Sequence, residues 1–279
     1  MVRIIIDSTT DVIEEIKARL TIVPLNINFG DEEFIDGVTI NHKTFYEKLV
    51  ESDVLPTTSQ AAPDAFDRVF KETVEAGDDA VVITLSSKLS GTYQSAIIAA
   101  AEYEGRIFVV DGNSVAIGTG ILAELALKYA DGGMSASDIA DRIKAERDNV
   151  RLIAMLDTLE YLKRGGRISK TAAFAGGILS IKPVVCIEDG EIKVLGKARG
   201  SKQGNNLLIK EIQTSGGVDF TKPVLLGYTG MTDVLLRKYI EDSSALWEGH
   251  IEELNCTIVG SVVGTHAGPG AVAAAFFKK

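Results

Sequence analysis

Cysteine is nearly absent: the 279 residues contain only Cys186 and Cys256. Each sits in an apolar run, Val184-Val185-Cys186-Ile187 and Cys256-Thr257-Ile258-Val259, so both read as core residues and not as a disulfide or a metal pair. The three histidines, His42, His250 and His266, are too far apart for a zinc pattern. Basic residues are outnumbered, 29 Lys+Arg against 39 Asp+Glu, and they form no large cluster. A net charge of −10 therefore argues against general nucleic-acid binding and against steady attachment to an anionic membrane, leaving at most a transient contact. No apolar run approaches the ~20 residues of a membrane span. The N-terminus enters a strand at 3–6 with no signal peptide before it, so a soluble cytoplasmic protein is expected. Phosphate-binding Gly-x-x-x-x-Gly-Lys-Ser/Thr, the kinase signature set and the Gly-x-Ser-x-Gly elbow are all missing.

What is present is ample apolar material, 46% of residues, enough for two domains. Strands are expected at 2–6, 22–29, 80–85 and 106–111. Helices are expected at 12–20, 44–52, 64–75, 93–104, 117–129 and 135–147. This alternation predicts an α/β unit over 1–150, with a mainly parallel sheet flanked by helices. Near residue 150 the pattern changes. A strand at 151–156 and a short helix at 158–164 precede two runs, 184–188 and 191–195. These flank Asp189-Gly190, a strong type I′ hairpin signal. With helices at 202–214 and 232–243 and strands at 223–227 and 257–263, residues 151–279 read as an α+β domain with a mixed or antiparallel sheet.

Three stretches carry polar chemistry. The strand at 80–85 runs into Ser86-Ser87-Lys88-Leu89-Ser90-Gly91-Thr92, four hydroxyls and a glycine ahead of a helix. Such a junction either binds an anion on free backbone N–H groups or is simply a helix cap made by Ser90 or Thr92. Asp7-Ser8-Thr9-Thr10-Asp11 follows the first strand at the carboxyl end, where open α/β sheets bind ligands; its plainer reading is an N-cap. Near the C-terminus, Gly264-Thr265-His266-Ala267-Gly268-Pro269-Gly270 places one histidine in a glycine-rich loop, a better setting for a ligand contact than an isolated surface histidine has. Gly118-Thr119-Gly120-Ile121-Leu122-Ala123 matches a dinucleotide fingerprint on paper. It does not follow a strand directly, and no acid-terminated strand comes about twenty residues on, so close helix packing explains it as well.

Taken with Pro56-Thr57-Thr58-Ser59-Gln60, Leu159-Glu160-Tyr161-Leu162-Lys163-Arg164-Gly165-Gly166-Arg167-Ile168 and Ile181-Lys182-Pro183, these stretches resemble the DegV family of bacterial fatty-acid-binding proteins over nearly the whole length. The resemblance implies one long-chain fatty acid in a buried tunnel between the two domains and no other cofactor. It also implies that Thr58 and Ser90 hydrogen-bond the carboxylate and that His266 supports that polar end. Arg167 and Arg199 would lie near the carboxylate mouth or on a partner surface, touching the partner or a phosphate. In the family several members are the non-catalytic lipid-binding subunit of fatty acid kinase, whose separate ATP-binding subunit makes the acyl phosphate. Two departures, Gly112 after Asp111 and Ala61-Ala62-Pro63 after Gln60, bear on the pocket wall and on chain-length preference. The alternatives are a lipid carrier or sensor without a kinase, and a serine hydrolase using Ser90 or Ser261 with His266.

Overall fold

The computed structural model describes residues 1–168, 181–250 and 254–279. Strands are numbered along the chain: β1 (Val2–Asp7), β2 (Thr21–Val23), β3 (Asn26–Phe29), β4 (Glu32–Ile35), β5 (Thr57–Ser59), β6 (Asp79–Thr84), β7 (Ile107–Asp111), β8 (Val150–Met155), β9 (Ile181–Glu188), β10 (Glu191–Arg199), β11 (Leu225–Tyr228), β12 (Cys256–Ile258) and β13 (Val272–Phe277). They form an α/β fold with a parallel four-stranded sheet, order β2-β1-β6-β7, and a mixed six-stranded sheet, order β10-β9-β8-β13-β11-β12. A small antiparallel sheet, β4-β3-β5, stands beside them.

Strand β1 shows why the parallel sheet forms. Its Ile4-Ile5-Ile6 run is buried on both faces, as a sheet covered by helices requires. Ile4 and Ile6 pack with Val81, Ile83 and the helix Ile117–Asp131, while Ile5 packs with Val82 and with Phe66 and Phe70 of the helix Pro63–Glu75. Strand β13 does the same for the mixed sheet. Ala273, Ala275 and Phe277 join the core of β1, and Val272, Ala274 and Phe276 face Leu208, Leu236 and Tyr239 of the outer helices. The hairpin between β9 and β10 turns at Asp189 (φ 50°) and Gly190 (φ 76°), the two left-handed residues of a type I′ turn. Among the described residues no helix is long and apolar enough to cross a membrane.

Several expectations need correction. The strand expected over 22–29 is two strands in different sheets. Pro24 has no N–H for a ladder, and the Leu25 N–H donates to Ser8 Oγ at 3.1 Å, so the chain leaves one sheet and starts the next. The helix expected over 12–20 shrinks to Glu14–Lys17, because Ile13 is still extended and the Val12 carbonyl accepts from Thr257 Oγ1 at 3.0 Å. Thr58 lies on β5 and not in a loop, paired with Ile27 of β3. The strand expected over 257–263 stops at Ile258, and the expected glycine-rich loop is largely a helix, Ser261–Ala267, with His266 in its last turn. Cys256 is exposed, because β12 is a three-residue edge strand, whereas Cys186 is buried as expected. Strand β13, central in the mixed sheet, was not expected at all.

The Gly118–Ala123 stretch is a packing device. A Cβ on Gly120 would stand 2.0 Å from the Asp11 carbonyl oxygen, and one on Gly118 would stand 2.1 Å from Ser114 Oγ. The helix thus lies directly on the loops that follow β1 and β7. Backbone cannot retreat as a flexible side chain can, so Gly120→Ala should destabilise the fold by at least the ~1–3 kcal/mol usual for overpacking. Urea unfolding should show a lower midpoint at unchanged slope; an unaltered midpoint would contradict this contact.

Candidate functional site

A cavity of about 970 Å³, counting the part open to solvent, lies between the ends of the parallel strands and one face of the mixed sheet. Its room comes from small residues in register across three strands: Gly227 of β11 pairs with Ala273 of β13, which pairs with Ala154 of β8. Leu152, Leu156, Val185 and Ile187 extend this wall, and Val259, Val262 and Val263 line the cavity from the β12 side. The opposite wall is Leu25, Leu85, Leu89, Val115 and Ala116. Along these walls the lining suits a long apolar body.

Polar groups enter the lining from a few elements. Thr58 Oγ1 and His266 Nε2 share a hydrogen bond of 2.9 Å, although 208 residues separate them. Strand β5 presents Thr58 because pairing with β3 fixes its register, and the helix Ser261–Ala267 brings His266 across from the other side. Ser90 Oγ pairs with Thr92 Oγ1 at 2.9 Å and accepts the Thr92 N–H at 3.3 Å. Ser90 Oγ thus satisfies one N–H at the start of the helix Thr92–Ala100, as a cap does, and Ser90 also lines the cavity. Gln60 lines the cavity too, its Nε2 donating to Ser95 Oγ. Arg167 donates from Nε to the Leu89 carbonyl at 3.1 Å and from Nη1 to the Gly165 carbonyl at 2.6 Å. Its guanidinium pins the backbone just before Ser90 while keeping its charge at the cavity edge.

Electrostatics make this end a mild one. Burial, reinforced by the Arg167 charge, lowers the His266 imidazole to about 4, so it is neutral at pH 7. Its Nδ1 is buried without a hydrogen-bond partner, and a Cβ on Gly165 would stand 2.1 Å from it, so only glycine fits there. The arrangement offers hydroxyl hydrogens, a neutral imidazole and one arginine. It can hold a carboxylate by hydrogen bonds beside a single positive charge.

Thr58, Ser90, Arg167 and His266 are thus brought together at one cavity. Arg199 is not: it is exposed at the end of β10, pairs with Ile181 in the ladder, and stands outside the lining. No hydrogen bond joins His266 to Ser90 or to Ser261, whose Oγ is buried without a partner, so the geometry of an activated serine is missing. Sequence reasoning missed the part played by Asp7. Its carboxylate is fully buried and accepts from Thr9 N–H (2.9 Å), Thr9 Oγ1 (2.6 Å) and Leu85 N–H (2.7 Å), fixing two lining residues at once. An acid closing the buried Ile4-Ile5-Ile6 run was the available signal.

Comparison with known proteins bears on this cavity. Residues 1–279 match the family described as "Uncharacterised protein, DegV family". A DegV domain-containing protein of Caldanaerobacter subterraneus is 35% identical, covering all of this chain and 99% of the relative. A solved DegV family protein from Thermus thermophilus, described as binding fatty acid, superposes with a TM-score of 0.89 at 30% identity, covering all of this chain and 99% of that one. A solved stearic-acid-binding protein from Eubacterium ventriosum gives a TM-score of 0.86 at 26% identity, with the same coverage.

The lowered His266 pKa makes a prediction about stability. An imidazole in the unfolded chain titrates near 6.5, and this one titrates at about 4 when folded. Between those values the unfolded chain binds a proton that the folded chain does not, so stability is lost as pH falls from about 6.5 towards 4. His266→Gln should remove that contribution. The unfolding free energy of the variant should fall less between pH 7 and pH 4.5 than that of the wild type. An imidazole resonance of His266 titrating near 6.5 in the folded wild type would contradict the assignment.

Proposed function

The chain belongs to the DegV family, and on that footing we propose that it binds one long-chain fatty acid in this cavity and presents the carboxylate to a separate ATP-binding kinase subunit. The observation that carries the reading is the cavity itself, apolar along most of its lining and hydroxyl-rich at Thr58 and Ser90, beside a neutral His266. We take residues 1–150 and 151–279 as the two domains that enclose it. The fatty-acid-binding relatives described above, similar along the whole chain, support the ligand class.

Physical chemistry supports the division of labour. Each buried methylene contributes about 0.8 kcal/mol, so roughly fourteen of them supply on the order of 10 kcal/mol before ordering costs. The tail therefore supplies most of the affinity, and the clamp has only to orient the head. Thr58 and Ser90 donate to the carboxylate, His266 steadies Thr58, and Arg167 contributes charge without a full ion pair, leaving the carboxylate oxygens nucleophilic. The sequence lacks the Gly-x-x-x-x-Gly-Lys-Ser/Thr pattern, which favours a phosphoryl donor brought by a partner. Arg167 at the cavity and Arg199 on the outer surface are the proposed contacts to that partner or to the phosphate in transit.

Two measurements test this. Thr58→Ala and Ser90→Ala should each weaken fatty-acid binding by about 1.5–3 kcal/mol, the range for hydrogen bonds to a charged group, with little loss of stability. Equal affinity in the double variant, titrated with palmitate, would refute the clamp. Arg199 stands clear of the cavity, so Arg199→Ala should keep affinity within a few-fold while lowering acyl-phosphate formation at least tenfold, about 1.4 kcal/mol, in a reconstituted kinase assay. Undiminished turnover would remove Arg199 from the partner surface.

A further inference from the structure

The sheet face that lines the cavity has two different ends. At one, Ala271, just before β13, and Leu156, just after β8, pack with Leu162 and with Ala267, the neighbour of His266. This is the clamp end. Two residues further along each strand, about 7 Å at ~3.3 Å per residue, stand Ala273 and Ala154, directly paired across the ladder. Beside them Leu152 and Ile187 belong to the core built on the helix Ile117–Asp131.

The cavity stops just past this pair. Ala275 and Leu225, the next positions on the same face, lie outside the lining, in the core under that helix. Ala273 keeps 8% of its surface exposed and Ala275 none, although both sit on the same central strand. What Ala273 keeps faces the cavity. Gly227 bounds the same end: a Cβ there would stand 3.1 Å from Ile117 Cγ2 and 3.2 Å from Val259 Cγ2. Strands favour β-branched and aromatic residues, and the Ala154–Ala273 pair forgoes both, which leaves room in front of it.

Granted the fatty-acid reading above, on which this rests, we propose that the pair Ala154–Ala273 sets the longest acyl chain the cavity accepts. With the carboxylate held at Thr58 and Ser90, tail length is counted from the clamp, and the last carbons of a long tail fill the room in front of the two alanines. Leucine in place of either alanine puts three more carbons on the wall, and a long tail then leaves about as many unburied. Each unburied methylene costs roughly fourfold in affinity, so three cost a long acid well over tenfold and cost a short acid nothing.

In the test, the delipidated full chain is given an equimolar mixture of saturated acids of ten to eighteen carbons, and native mass spectrometry reads which are held. The wild type should favour roughly fourteen to eighteen carbons. In Ala154→Leu and in Ala273→Leu the favoured length should fall by two carbons or more, and the ratio of dodecanoate to palmitate held should rise at least tenfold. Ala154→Val and Ala273→Val, each two carbons larger than the wild type, should shift the preference the same way by less, and they carry the test if leucine does not fold. Ala275→Val, in the packed core one step beyond, should melt lower and keep the wild-type preference. An unshifted length profile in the Ala154 and Ala273 variants, or an equal loss of all lengths, would overturn the inference and leave the fatty-acid reading intact. A wild type that takes up none of these acids would overturn that reading, and the inference with it.

Discussion

A carboxylate fully removed from water must find hydrogen bonds, and Asp7 finds three, all from backbone or side chain of the cavity wall. This constraint shapes the molecule. Asp7 stops β1, folds Ser8–Asp11 into a fixed loop and ties that loop to the end of β6. Four residues on, Asp11 reaches across to Gly260 and the helix carrying His266. Tyr46 repeats the bridge, its hydroxyl donating to the Val259 carbonyl at 2.9 Å, as does Thr257 to the Val12 carbonyl. The cavity is therefore framed by polar bonds at one end and lined by apolar side chains along its length.

The same economy governs the clamp. Thr58 and His266 meet only because β5 and the helix Ser261–Ala267 are each held by other contacts. A protonated imidazole there would bind a carboxylate more tightly and dull its reactivity. Burial and the Arg167 charge keep it neutral instead. Arg167 in turn is fixed by the Leu89 and Gly165 carbonyls, so its charge reaches the cavity from a set position. A weak head and a large apolar body fit the proposed role of holding a fatty acid while leaving its carboxylate reactive.

Much of this was legible in the residues. The runs at β1, β6 and β7 are β-branched and apolar, the reading a covered parallel strand invites, and Asp189-Gly190 announced its hairpin. The family resemblance, and not spacing, singles out Thr58, Ser90, His266, Arg167 and Arg199; the first four line one cavity and Arg199 stands outside it. The failures share a cause. Strand β13 is Val-Ala-Ala-Ala-Phe-Phe, whose alanines carry no strand preference; its identity comes from pairing with β8 and β11. Thr57–Ser59 reads as a polar loop until β3 lies beside it. Ser261–Ala267 holds a glycine and three β-branched residues, so only its setting, starting where Asp11 takes the Gly260 N–H, makes it helical. Tertiary contacts decided each case, and local propensity does not record them.

The central claim is that the cavity holds a fatty acid. Native mass spectrometry of the gently purified chain, followed by organic extraction, tests it most directly. The account predicts one monocarboxylic acid of roughly fourteen to eighteen carbons per chain, the length whose methylenes supply the binding energy. An extract with no such acid, from a protein that when stripped also fails to take up palmitate or stearate, would contradict it.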